Sequence, residues 1–322
     1  MTRRLEWGTV PVHNAQMGRR GKSTGGDGLI LQAGDIERAG SVHRPGPRAV
    51  GTAARSDSAL AFEGLKGGAA GGRHRVGGLL GRNDPGQPWL MERREVAPGL
   101  VRFRVERPVG LEFRAGQYVK FGLPGNQRSY TVASAPGEDA LEFFIELIPG
   151  GRLSEPLRSV RPGTQMAVGP RGKGSFLLDE RASHHLFVAT VTGVAPFVSI
   201  VRNQFREAHD APQRARQQRF VLLHGASHAD EFGYADELSE LAARHPDRLS
   251  YLPTVSRPDA RRNAGWTGAV GRVDTHVRPT LARLGLPPSD TAVYACGNSG
   301  MIRNVRLFAS AAGLRFHSEA FD

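Results

Sequence analysis

The sequence predicts a two-domain α+β chain: an antiparallel β-barrel over residues 87–182, then an α/β domain with a parallel sheet over residues 183–322, behind a disordered N-terminal arm of residues 1–86. Three textures predict it. From about residue 88, short β-rich runs are separated by Pro/Gly turns, the spacing of an antiparallel barrel or sandwich. From about residue 183, apolar strands alternate with helical patterns, which calls for a parallel sheet with crossovers. Ahead of both lies a glycine-rich, basic stretch with no apolar period.

That stretch comes first in the chain. Residues 1–84 hold 18 of the 41 glycines, and a run such as GGAAGGRHRVGGLLGR buries too little apolar surface to offset ordering entropy. They also hold 13 Lys/Arg against 7 Asp/Glu, half of the net charge of +12. A basic arm of this kind suits nucleic acid, bound in a salt-dependent way. The run QMGRRGKST ends like a phosphate-binding P-loop, with Gly21, Lys22 and Ser23. Gln16 replaces the required first glycine, however, and no strand precedes it. Globular texture begins near Met91, an alternative start of the chain.

Composition excludes several classes. The one cysteine, Cys296, rules out a disulfide framework and a Cys-rich zinc or iron–sulfur site, and fits a reducing, cytoplasmic setting. No run approaches eighteen apolar residues, so no membrane span is expected. The opening MTRRLEWGTV lacks the apolar region of a secretory signal.

In the barrel the strand candidates are LVRFRVER, QYVKFGL, SYTVAS, ALEFFIEL and TQMAVG, interrupted by a helical LSEPLRSV after Gly150–Gly151. The α/β strands are HHLFVATV, RFVLLHGA, RLSYLPTVS and TAVYACG. Between them run helices opening near Pro196 and at YADELSELAAR, VDTHVRPTLARL and SGMIRNVRLFASAAG.

Ligands of an open parallel sheet collect at the carboxyl ends of its strands. Thr192 and Gly193 open a helix with Pro196 in its first turn, exposing N–H groups and a positive dipole end that suit a diphosphate. Ser256 and Arg257 offer a hydroxyl and a forked donor for a phosphate monoester; they equally suit a solvated loop. Cys296 reads as a small buried hydrophobe, although the glycines of ACGNSGM let a flat ring approach the backbone. In RSYTVAS, period 2 puts Arg128 and Tyr130 on one face and Ser129 and Thr131 on the other. A half-buried strand with a packed Tyr and a solvated Arg accounts for that run as well.

Taken in order, Arg-x-Tyr-Thr at 128–131, Gly-x-x-Ser at 151–154, Thr-Gly-Val-Ala-Pro-Phe at 192–197, Ser-Arg at 256–257 and Cys-Gly-Asn-x-x-Met at 296–301 resemble the ferredoxin–NADP reductase family. The resemblance spans roughly residues 90–322 and is to the bacterial branch that acts on ferredoxin or flavodoxin. It implies FAD and NADP(H) as cofactors. Arg128 then binds the flavin diphosphate, and Ser129 beside it is a further cofactor-binding residue. Tyr130 lies against the isoalloxazine or ribityl portion, and Thr131 near the reactive flavin N5. Gly151, Arg152, Leu153 and Ser154 begin the helix that completes the diphosphate site, and VGPRGKGSF lies near the adenosine half.

On the nicotinamide side, the resemblance gives Thr192, Gly193 and Pro196 to the NADP diphosphate, and Ser256 and Arg257 to the 2′-phosphate. Cys296 and Gly297 face the nicotinamide, and Met301 is a further cofactor-binding residue. In the terminal SEAFD, Glu319 becomes a proton-handling or positioning group, and Phe321 either a shield over the flavin or a terminal ring docked in a groove. Thr131, Cys296 and Glu319 are the catalytic candidates. Two positions depart from the pattern: Val191 stands where the branch often has glycine, and Ser227–His228 stand where it commonly has a basic residue. NADPH preference therefore rests on Ser256 and Arg257, with help from Arg261 or Arg262.

The expected reaction is hydride exchange between nicotinamide and flavin, coupled to single-electron steps with ferredoxin or flavodoxin, by a monomer. Those carriers are acidic, so Arg93, Arg94, Arg152, Arg158 and Lys173 are candidates for steering them. The alternative is the reductase component of an oxygenase or another electron-transfer system. The more remote one is a basic-armed nucleic-acid-binding protein.

Overall fold

A computed structural model of the chain describes residues 86–210 and 218–321. The arm up to residue 85, the P-loop-like run within it and Asp322 lie outside the described residues.

The first six strands are β1 (Leu90–Ala97), β2 (Leu100–Glu106), β3 (Tyr118–Leu123), β4 (Asn126–Thr131), β5 (Ala140–Glu146) and β6 (Ala167–Val168). They form two antiparallel three-stranded sheets, ordered β1-β2-β5 and β4-β3-β6. Each pair of free edges is joined by backbone hydrogen bonds. Leu90 donates to Thr164 O at 2.9 Å and Met166 to Pro88 O at 2.8 Å. On the other side Ala133, just past β4, donates to Glu142 O of β5 at 2.8 Å. The result is the expected barrel, with no long free edge.

Alternation fills it. Val101, Phe103 and Val105 of β2, Val119 and Phe121 of β3, and Leu141, Phe143 and Ile145 of β5 all point inward and are buried. Phe121 stacks on Phe143 with centroids 4.1 Å apart. The insert forms the short helix α1 (Ser154–Ser159), and Leu153 and Leu157 join the same core. β1 includes Leu90, which is buried in that core, so the strand begins ahead of Met91.

Six further strands make one sheet: β7 (His184–Thr190), β8 (Arg219–Ala226), β9 (Leu249–Val255), β10 (Ala269–Val270), β11 (Thr291–Gly297) and β12 (Arg315–Ala320). Every pairing in it is parallel, in the order β10-β9-β8-β7-β11-β12. Its helices are α2 (Ala195–Asp210), α3 (Ala235–Arg244), α4 (Val277–Leu284) and α5 (Ser299–Ala311). The two edge strands, β10 and β12, are additions to the strands read from sequence. Buried on both faces, the central strands supply two cores. Phe187, Ala189 and Tyr294 pack with Phe197 of α2 and Leu238 of α3. Leu186, Val188 and Val293 pack with Val277 of α4 and Met301 and Val305 of α5.

Barrel and sheet share a core as well: Phe144 of β5 meets Tyr234 edge-on at 5.6 Å. Around that contact is a polar clamp. Arg202 of α2 holds Glu237 of α3 through two hydrogen bonds of 2.6 and 2.7 Å, donates to Ala133 O at 3.3 Å and lies 3.6 Å from Glu142 of β5. Its burial opposes the charge, but the carboxylates prevail and hold it firmly protonated. Ser199 of α2 donates to Ser134 O at 2.7 Å. No described helix is long and apolar enough to cross a membrane.

Candidate functional site

The order of the sheet reverses between β7 and β11, so the chain leaves their carboxyl ends in opposite directions and opens a crevice there. The walls approach closely because glycine stands at both strand ends. A Cβ on Gly193 would collide with the Cys296 carbonyl, and one on Gly297, at φ 120°, with the Thr190 hydroxyl. Asn298 N–H donates to that hydroxyl at 2.8 Å. The Asn298 side chain in turn caps α5, accepting from the N–H groups of Gly300 and Met301.

A cleft of about 370 Å³ follows from this arrangement. Thr190, Thr192, Gly297 and Met301 line it, with Phe321 at one wall and Glu146 of the barrel strand β5 among its lining residues. Ser227, Ser256 and Arg272 line it too, at the ends of β8, β9 and β10. Of the residues singled out from sequence, the structure brings Thr192, Ser256, Gly297, Met301 and Phe321 to this one cleft, with Gly193 packed beside it against Cys296. Arg272 and Glu146 were not among them, and Asn298 stood in the Cys-Gly-Asn-x-x-Met motif without a role. Arg272 carried a signal, since GRVD follows an apolar GAV, but the two-residue β10 is too short to be recognised by period.

Val191 is the only described non-glycine residue with positive φ, at 43°. For a β-branched residue this left-handed conformation costs about 1–2 kcal/mol. The departure noted at Val191 thus sits on a backbone that suits glycine. Pro196 falls in the first turn of α2, following the 3₁₀ turn Val191–Val194.

Arg257 is exposed and has no ion pair or side-chain hydrogen bond among the described residues. Arg262 is committed instead: it binds Asp230 at 2.7 Å and lies 3.6 Å from Glu231. Glu231 also accepts from Ser227 N–H at 2.9 Å and His228 N–H at 3.1 Å. The stretch that lacks the expected basic residue is therefore ordered around carboxylates.

Cys296 is wholly buried. Burial pushes its thiol well above the ordinary range, with the neighbouring Glu319 adding to the effect. It lies behind the cleft wall, whereas Gly297 and Met301 form that wall. Glu319 of β12 is its register partner. The Glu319 Oε2 is buried without a hydrogen-bond partner, and burial raises its carboxyl. Phe321 leaves β12 with its N–H 3.4 Å from Gly297 O, and the residue is 38% exposed.

On the barrel, β4 presents Arg128 and Ser129 exposed, Tyr130 half-buried and Thr131 buried. Tyr130 meets Phe121 edge-on at 6.1 Å; burial raises its phenol, and Arg128 works against that. Thr131 Oγ1 is buried with no hydrogen-bond partner. A buried hydroxyl left unpaired within the protein is free to bond a water or a ligand atom. After β5, Ser154 Oγ accepts from Ile148 N–H at 3.0 Å, shaping the Gly150–Gly151 turn while its own proton stays available. Arg152 is exposed, and Leu153 is drawn into the core.

Comparison with known proteins matches both halves. Residues 90–176 match the model of an oxidoreductase FAD-binding domain and residues 187–307 that of an oxidoreductase NAD-binding domain. Fold and site thus define a flavin-dependent oxidoreductase that binds FAD and NAD(P). A ferredoxin–NADP reductase B of Sorangium cellulosum is 35% identical over 237 residues, covering 70% of this chain and 91% of that protein. A flavodoxin/ferredoxin–NADP reductase of Escherichia coli is 31% identical over 217 residues, covering 64% and 82%. A crystal structure of a ferredoxin NADP+ reductase from Neisseria gonorrhoeae with bound FAD and NADP shares the fold, with TM-score 0.61 and 23% identity over 73% of this chain and 97% of that one. The chain belongs to the ferredoxin/flavodoxin–NADP reductase family.

Proposed function

We propose that the protein exchanges electrons between NADPH and a one-electron carrier, a ferredoxin or flavodoxin, through FAD. The observation that carries this reading is a single cleft lined both by the strand ends of the parallel sheet and by barrel strand β5. A nucleotide lying on the strand ends therefore meets the barrel.

FAD, when bound, supplies the conversion between a hydride and two single electrons. The chain's own groups bind, orient and exclude water. Arg128 holds the flavin diphosphate with the Gly151–Ser154 turn, Tyr130 lies along the ring system, and the unpaired Thr131 hydroxyl offers a hydrogen bond at its reactive edge. Thr192 and the N–H groups of the Val191–Val194 turn take the nicotinamide nucleotide's diphosphate. Ser256, Arg257 and Arg272 take the 2′-phosphate, supported by the uncommitted guanidinium of Arg257. Phe321, which lines the cleft, would shield the flavin site, and its displacement would gate entry of the nicotinamide at the C-terminus. Glu319, kept toward its protonated form by burial, handles a proton beside Cys296.

The test is anaerobic. Purified protein should be yellow, NADPH should bleach it faster than NADH does, and the reduced protein should pass electrons to ferredoxin or flavodoxin. Colourless protein that refuses added FAD would sink the reading. Reduction by NADPH with transfer to neither carrier would instead favour an oxygenase or other reductase partner.

A further inference from the structure

We propose that His224, backed by Tyr251, is a positioning residue that holds the left-handed Val191 turn in its nucleotide-binding form. This rests on the nucleotide reading of the cleft given above. His224 of β8 lies under the turn, fully buried, with its Nε2 3.0 Å from Val191 O and its Nδ1 3.1 Å from the Tyr251 hydroxyl of β9. A carbonyl only accepts, so Nε2 carries the proton and Nδ1 receives the Tyr251 O–H. Burial lowers the His224 imidazole to about 4, so this neutral tautomer is present at neutral pH. Phe232 closes the ring edge-on at 4.9 Å.

The tether has a reason. A valine at φ 43° would relax toward a right-handed or extended conformation if free. That rotation would reshape the Val191–Val194 turn, whose Val191 and Thr192 line the cleft. Fixing the Val191 carbonyl from beneath removes the escape. Glycine at the same position adopts positive φ without penalty and needs no tether, so Val191 and the His224–Tyr251 pair belong together.

The experiment measures NADP+ affinity by perturbation of the flavin spectrum, together with KM, kcat and FAD content, in H224L, H224Q, Y251F, V191G, V191G/H224L and V191G/Y251F. H224L should weaken NADP+ roughly five- to tenfold, the effect of losing one buried hydrogen bond, and raise KM more than it lowers kcat at unchanged FAD content. H224Q, which keeps a donor, should recover part of the loss, and Y251F should show a smaller loss. In the V191G background the H224L effect should shrink to less than about twofold. Equal NADP+ affinity in wild type and H224L, or the same loss in both backgrounds, overturns the tether while leaving the nucleotide reading intact. If H224L fails to fold, Y251F measured with and without V191G decides by the same criterion. A wild-type protein that binds no NADP+ overturns the reading and the tether together.

Discussion

At the residue scale, the informative atoms are those left unpaired or conformationally forced. Thr131 Oγ1 and Glu319 Oε2 are buried without partners, which a folded chain tolerates at a cost unless a ligand completes them. Thr131→Val preserves the shape and removes the hydroxyl. It should leave FAD content near wild type and slow flavin reduction by NADPH on the order of 10²-fold, as loss of a donor at a reacting edge does; stopped-flow bleaching measures it. Arg257→Met should raise KM for NADPH about tenfold or more, since a hydrogen bond to a charged group is lost, and leave KM for NADH nearly unchanged. Equal effects on both nucleotides would remove Arg257 from the 2′-phosphate site. Both positions could be named from sequence because each belongs to a short ordered motif. Arg272 could not, since only the pairing of Ala269–Val270 with β9 brings it to the cleft.

At the element scale, one clamp and one strand decide how the halves stay together. Arg202 is only 16% exposed and faces Glu142 of β5, Glu237 of α3 and Glu138 of the turn before β5. Arg202→Met would leave Glu142 to Arg102 alone, 2.9 Å away, and Glu237 to solvent, a loss of about 1.5–3 kcal/mol by the measure of a hydrogen bond to a charged group; thermal unfolding should show a lower Tm with earlier release of flavin fluorescence. A chain starting at Met91 would lose the Leu90 side chain from the barrel core and the Trp89–Gln165 and Pro88–Met166 closures. It should yield less soluble, flavin-poor protein than a chain starting at residue 86. The barrel strands were legible because period 2 is a local property. The closing bonds between β1 and the segment before β6 join residues more than seventy apart, and no local pattern records them.

For the whole molecule, acid stability follows from buried imidazoles. His185, stacked on Phe220 at 5.1 Å, is lowered by burial to about 4, as is His224. Unfolded, each titrates near 6.5. Between these values the unfolded chain binds the extra protons, so stability is full above about pH 6.5 and falls as pH drops toward 4, by up to about 1.4 kcal/mol per pH unit for each histidine. Asp179 acts in a lower window: its hydrogen bonds from Arg181 depress its carboxyl, and that stabilisation is lost only below about pH 4. His185→Phe should halve the decline between pH 7.5 and 5.0 in guanidinium midpoints. An unchanged slope would show that His185 already accepts its proton in the fold.

By itself the sequence determined the two sheet types, their order along the chain and the loops that stand at the strand ends. Side-chain alternation, apolar runs and Gly/Pro punctuation act over a few residues and need no partner to be read. Only the tertiary structure decided that β7 lies between β8 and β11, that Cys296 sits behind the wall and Gly297 in it, and that Glu146 and Arg272 belong to one cleft. It also decided that a valine could occupy a glycine's backbone over a buried histidine. Those outcomes depend on which strands the crossovers bring together, a long-range choice settled by packing on both faces of the sheet.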